Sequence, residues 1–418
     1  MSTSKENNSA FFIEEQENVG GARIKVIGAG GGGGNAVNTM IISKFGNVDF
    51  IAVNTDKQAL NKSLAPIKIQ IGKVTTEGLG AGGDPEKGRL AALEDEETIK
   101  SHIKGADMVF ITAGMGGGTG TGSAPIIAKA ARECGVLNIA VVTKPFLFEG
   151  KKRQEKAEEG LEELRKYVDT LITIPNERLK NVMSTSICGQ ECFRKVDEVL
   201  LQAVKGISDL VNKTGYINLD FADIKATMQG SRGIAIVGIG HGTGDNMARK
   251  AADSAMRSPL LGNMNINGAS GLILNITASS RIPLNEIINT AEYVKNAAGE
   301  SANVMFGWVI DDEIGDEIRL TIVATGISAE TIESAVRPVE QPKQTTVHPK
   351  RMTLEDFKKR HTTSYVSSNT ESRGLFDTMN DHSSKSSKYN AEPVDYDDTD
   401  TPSWLKKQNK DSGLATEE

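Results

Sequence analysis

DMVFITAGMGGGTGTGSAPIIAKAARECG, residues 107–135, decides the fold. Its first third is an apolar run ending in glycine, which predicts a buried strand. Ser123 to Gly135 predicts a helix, and Gly135 closes it because glycine takes the left-handed conformation that ends helices. Between them, Gly114–Gly122 holds six glycines in nine residues. Glycine lets backbone N–H groups crowd around an anion, since no Cβ intervenes and positive φ is allowed. The following helix adds the positive end of its dipole, and Thr119, Thr121 and Ser123 add hydroxyls. A tight crossover does not need six glycines for packing. The stretch reads as a phosphate cradle at a strand-to-helix junction.

The same alternation continues on both sides. ARIKVIGAG (22–30) predicts a strand, NAVNTMIISKFG (35–46) a helix, and VDFIAVNTD (48–56) and NIAVVTKPF (138–146) further strands. Strands alternating with helices at this spacing imply a parallel sheet covered on both faces. A second glycine run, Gly28 to Gly34, also joins a strand to a helix. It contains G-x-G-x-x-G, and Asp56 follows the next strand, so a dinucleotide-binding oxidoreductase competes. That reading leaves Gly114–Gly122 without a role. It also lacks hydride-transfer machinery, because only His102 and His241 lie in folded sequence. A P-loop ATPase is disfavoured, since neither run ends in Gly-Lys-Ser/Thr.

Residues 190–213 break the alternation. Apolar side chains recur at 192/193, 196, 199/200, 203/204, 207 and 210/211, a 3.6 period that predicts one long amphipathic helix between two domains. A second mixed α/β unit follows at 214–327. Its predicted strands are GIAIVGIG, GLILNITA, NVMFGWVID and EIRLTIVATG. Residues 1–22 read as a flexible arm. Residues 328–398 are polar and charged, with too little apolar surface to offset chain entropy, and are expected to be disordered.

Composition excludes several classes. The net charge is −7 and aromatics are 5%, against a basic or base-stacking nucleic-acid binder. The three cysteines make no disulfide framework, which fits a reducing cytosol, and Cys188 and Cys192 lack the second ligand pair of a zinc site. The polar, acidic start predicts no signal peptide, and no run reaches the ~20 apolar residues of a membrane span.

GAGGGGGN (28–35), GMGGGTGTG (114–122), FEGKKR (148–153) and NLDFAD (218–223) together resemble the FtsZ family of bacterial cell-division GTPases, relatives of tubulin. The resemblance runs from Arg23 to Ile327. It implies a tubulin-like α/β fold. A Rossmann-type parallel-sheet GTP-binding domain (23–189) would precede a central helix (190–213) and a smaller mixed α/β domain (214–327) with the catalytic loop. A disordered tail would follow. It further implies that Gly31, Gly32, Gly33, Gly34 and Asn35, with Gly118, Thr119 and Gly120, hold GTP. Glu149 and Arg153 would contact sugar and phosphate, and being four apart they would share one face of a helix. The loop 78–89 would close over the γ-phosphate, with Ala81 and Gly82 nearest.

Phe193 and Asp197 stand at i and i+4 of the long helix. There an aromatic ring can stack on a purine. A carboxylate can accept from both N1–H and the 2-amino group of guanine, whereas adenine has no N1 donor. The glycine runs hold no catalytic carboxylate. In the family, the loop with Asn218, Asp220 and Asp223 reaches the nucleotide of the next subunit, with Mg2+ screening the phosphates. The protein would then be a head-to-tail homopolymer on the cytoplasmic face of the membrane at the mid-cell division site. DTPSWLKK (400–407) resembles the family's C-terminal partner peptide. Pro402, Trp404, Leu405 and Lys406 within 399–410 would dock on membrane-tethering and regulatory division proteins, ahead of a short tail (411–418). Thr401 and the lysines depart from the usual pattern. As a flexible coil the linker would reach on the order of 45 Å.

Overall fold

A computed structural model describes residues 21–180, 188–212, 215–217, 219–230, 233–258, 261, 266–299 and 302–327. Asn218, residues 1–20 of the arm, and the linker, partner peptide and tail lie outside the described residues.

Ten strands form one ordered sheet: β1 (Ile24–Ala29), β2 (Val48–Asn54), β3 (Ile67–Gln70), β4 (Met108–Gly114), β5 (Leu137–Lys144), β6 (Thr170–Pro175), β7 (Gly233–Thr243), β8 (Gly271–Ala278), β9 (Asn303–Ile310) and β10 (Glu317–Thr325). The order is β3-β2-β1-β4-β5-β6-β7-β10-β8-β9. Strands β3 to β7 in that order pair in parallel. Beyond β7 the pairing with β10 and of β10 with β8 is antiparallel, and β8–β9 is parallel again. The continuous apolar runs of β1, β4 and β5 follow from burial on both faces. Strand order reverses between β1 and β4, which is where open α/β sheets bind ligands. Both glycine runs leave the sheet there, side by side.

The helices are α1 (Gly30–Ile42), α2 (Lys57–Lys62), α3 (Lys73–Thr76), α4 (Pro85–Glu94), α5 (Glu96–Ile103), α6 (Thr119–Glu133), α7 (Lys151–Arg165), α8 (Asn176–Leu179), α9 (Gly189–Asn212), α10 (Phe221–Gly230), α11 (Met247–Met256) and α12 (Leu284–Ala298). The long amphipathic helix is α9. It buries Val196, Leu200, Ala203, Val204, Ile207 and Leu210 on the face the sequence marks, in one core with α1 and the strands. Each such leucine or isoleucine contributes roughly 1.5–3 kcal/mol. A second core on the opposite sheet face joins α4, α5 and α6, and a third lies under α11 and α12.

Two boundaries differ from the sequence reading. Gly30–Gly34 is not a loop before a helix but the first turn of α1. Likewise Thr119–Gly122 is the first turn of α6, so only Met115–Gly118 is loop. Glycine is used here for close approach as much as for turning. A Cβ on Gly122 would lie 2.0 Å from the Pro85 carbonyl of α4, and one on Gly33 would lie 2.2 Å from the Thr112 carbonyl of β4. Gly135 does end α6, with φ of 70° and its N–H on the Arg132 carbonyl.

Candidate functional site

The two glycine-rich helix starts touch. A Cβ on Gly30 would stand 2.6 Å from Gly120 N, and one on Gly32 would stand 3.2 Å from Gly114 N. Gly31, Gly32 and Asn35 are exposed, Gly34 is half-buried, and Gly33 is buried against β4. Neither helix start carries a side-chain cap, so their free N–H groups are left for an outside acceptor. A cavity of about 230 Å³ opens beside Gly31, Gly34 and Asn35, walled by Asn54, Gln58 and Lys62.

The three hydroxyls of the signature stretch are not equivalent. Thr121 accepts from Gly116 N at 2.8 Å and shapes the loop itself, while Ser123 is fully buried. Thr119 alone faces the junction, and its hydroxyl lies 2.6 Å from that of Thr55 at the end of β2. Asp56 serves the fold. Its carboxylate caps α2, accepting from Gln58 N and Ala59 N at 2.8 and 3.1 Å. The acid of the dinucleotide reading thus has a structural role as a helix cap.

The loop Gly78–Asp84 folds onto the signature loop. Ala81 is buried, and a Cβ on Gly118 would lie 2.8 Å from the Ala81 Cβ. Gly82 is exposed. Glu149 and Arg153 do not share one helix, because Gly150, at φ of 98°, separates the short 3-10 turn Leu147–Glu149 from α7. They still pair, Arg153 Nε to Glu149 Oε2 at 3.2 Å, and Glu149 also accepts from Phe146 N. Arg153 packs on Gly116 of the signature loop.

Phe193 is 45% exposed, too much for a core residue. It meets Phe146 edge-on at 5.7 Å, and Phe146 stacks on Phe148. One turn on, Asp197 is half-buried with no hydrogen-bond donor among the described residues. Burial, aided by Glu198, pushes its carboxyl up to about 7. Two N–H donors from a base would hold it ionised, so binding should release a proton. If Asp197 holds a guanine base, GTP affinity should fall about tenfold from pH 8 to pH 6, and Asp197→Asn should flatten that profile. A fluorescent-GTP titration across pH checks it. In the empty protein the sign is opposite: the folded chain holds this proton more tightly than the unfolded chain. Asp197 thus weakens the fold as pH rises from about 4 through 7.

Sequence reasoning missed Asn176 and Thr55. Asn176 is 5% exposed at the end of β6, and its buried Oδ1 has no partner among the described residues. It stands at the carboxyl end of a parallel strand, the side on which open α/β sheets bind ligands. The available signal was its place directly after LITIP, had that strand been recognised.

Beyond the end of α9, Asp220 and Asp223 differ. Asp220 accepts from Ala222 N at 3.1 Å and caps α10, as an ordinary polar loop would. Asp223 is exposed in the first turn of α10 without a described partner.

Comparison with known proteins fits this geometry. Residues 23–184 match the model of the Tubulin/FtsZ family GTPase domain, and residues 233–328 match the FtsZ family C-terminal domain. The chain is 48% identical over 324 residues to the cell division protein FtsZ of Coxiella burnetii, covering 78% of this chain and 84% of the relative. The chain belongs to the FtsZ family. An empty FtsZ dimer of M. jannaschii superposes with a TM-score of 0.70 at 42% identity, over 73% of this chain and 89% of that one. CetZ2 of Haloferax volcanii, solved as a GTPγS-bound protofilament, shares the fold at TM-score 0.63 and 22% identity, over 75% and 96%. GTP binding and hydrolysis are properties of this FtsZ family, which serves cell division. Among the described residues, no helix is long and apolar enough to cross a membrane.

Proposed function

We propose that this FtsZ-family chain binds GTP across the paired helix starts at Gly30 and Gly120. It polymerises head to tail, and it hydrolyses GTP where a neighbour's Asp220–Asp223 segment closes the site. The observation that carries this is the separation of the two halves. Phe193 and Asn212 lie near opposite ends of α9, 19 residues apart, or about 28 Å at the α-helical rise. The acids follow beyond Asn212, at the end of α9 away from Phe193, so in this reading they serve a neighbour's nucleotide and not that of their own chain. A heterologous contact between copies brings them to it and propagates into a filament. Exposed apolar side chains flank both halves: Leu79 and Phe148 near the phosphate and base sites, Tyr216 beside the acids.

In this reading the exposed Asp223, without a partner among the described residues, orients the attacking water, and Asp220 fixes the loop. The backbone N–H groups of Gly31, Gly32 and Gly118–Gly120 take the phosphate charge. Mg2+ fits as a phosphate-borne ion. No cluster of three acidic, histidine or cysteine side chains exists among the described residues, and Mg2+ needs few protein ligands when phosphates supply oxygens. It would neutralise the β- and γ-phosphates. The filament would form the division-ring scaffold at mid-cell, tethered through Pro402, Trp404, Leu405 and Lys406 to partner proteins. Many weak peptides on one filament would bind firmly together.

GTP, but not ATP or NAD, is expected to raise the melting temperature, and GTP with Mg2+ should produce light scattering together with phosphate release. Stabilisation by NAD would return the oxidoreductase. Scattering without phosphate release would reduce the protein to a scaffold.

A further inference from the structure

The loop Gly78–Asp84 is costly to hold in one shape. Gly78, Gly80, Gly82 and Gly83 all have positive φ, at 77°, 89°, 61° and 74°. A Cβ on Gly82 or Gly83 would meet nothing within 4 Å, so these glycines turn the chain without packing it. Ordering such residues loses more chain entropy than ordering any others. At its start the loop is pinned by the Lys57 N–H on the Gly78 carbonyl and the bridge between Asp56 and Leu79. At its centre Ala81 is buried on Gly118. Its far side, Gly82 and Gly83, is exposed. There one side chain reaches it: Lys156 of α7 donates its Nζ to the Gly83 carbonyl at 2.5 Å. Among the described residues this is the one side-chain hydrogen bond to Gly80–Gly83 from elsewhere in the chain.

We propose that Lys156 is a positioning residue for the γ-phosphate, holding the Gly78–Asp84 loop closed against the signature loop through the Gly83 carbonyl. Lys156 stands three residues after Arg153 on α7, and α7 packs on the signature helix, so the tether ties three parts of the site together. A charged donor on a carbonyl outweighs a neutral one. The ammonium also places a positive charge at the edge where the terminal phosphate would lie. GDP, lacking that phosphate, does not need the loop. The proposal rests on the reading of Gly78–Asp84 as the γ-phosphate loop.

The test compares the affinities of a non-hydrolysable GTP analogue and of GDP for the full chain, below its assembly concentration. Lys156→Gln is expected to weaken the analogue about fivefold to tenfold while GDP stays within about twofold, and Lys156→Arg to restore most of the loss. Lys144→Gln is the control, since Lys144 pairs with Glu158 of the same helix and does not touch the loop. If Lys156→Gln weakens both nucleotides equally, or neither, the tether is overturned while the phosphate reading stands. If the unmodified chain binds no GTP analogue, the reading of the loop fails and the tether falls with it.

Discussion

Asp223→Ala is expected to bind GTP and assemble like the unmodified chain, yet hydrolyse GTP on the order of a hundredfold or more slower. The substitution removes an exposed carboxylate without a described partner, in the first turn of the helix that follows α9. Nothing in the monomer's core depends on it. Its light-scattering signal should therefore rise normally on GTP addition and then persist, because the nucleotide is no longer consumed. Phosphate release and scattering recorded on the same sample separate the two effects. Asp220→Ala is the less clean experiment, since losing the α10 cap costs about 1 kcal/mol of stability as well. If Asp223→Ala hydrolyses GTP at the normal rate in filaments, another group positions the water.

Gly30→Ala should abolish GTP binding, with an affinity loss on the order of a hundredfold or more. Gly30 sits at φ of 70°, a left-handed conformation that costs a side-chain-bearing residue about 1–2 kcal/mol. Its new methyl would also stand 2.6 Å from Gly120 N and 3.0 Å from Gly120 Cα. Both contacts are backbone, so neither can swing aside. The two helix starts must part, and the N–H groups that converge on a phosphate no longer share a focus. The melting temperature should fall too, because β1–α1 and β4–α6 are neighbours in the sheet. Gly31→Ala is the informative companion: a Cβ there meets nothing within 4 Å, so its melting temperature should not change. Fluorescent-GTP titration and thermal unfolding of both variants check the pair.

Much of this was legible in the residues. The continuous apolar runs placed β1, β4 and β5 because burial on both faces of a parallel sheet demands such runs. The 3.6 period placed α9 for the same kind of reason. β3 was not legible: IKIQ is four residues on a sheet edge, too short for a pattern to declare itself. The glycine runs advertised an anion site, but not that most of their glycines are helical, since glycine carries no propensity signal for the conformation it adopts. Spacing put Glu149 and Arg153 on one helix face. The structure pairs them across Gly150 instead, because side-chain reach, not a shared helix, makes the contact. Asp220 and Asp223 looked alike as letters. Only the fold shows that one caps a helix and the other faces outward. Lys156 was invisible in the sequence, because its role depends on a loop 73 residues away.

The central claim is that one chain holds half of an active site. GTPase rate measured against protein concentration tests it most directly. Turnover per molecule should be near zero in dilute solution and rise sharply above a threshold, coincident with filament formation. Full turnover by dilute monomers would contradict the account, because it would place a complete set of catalytic groups within a single chain.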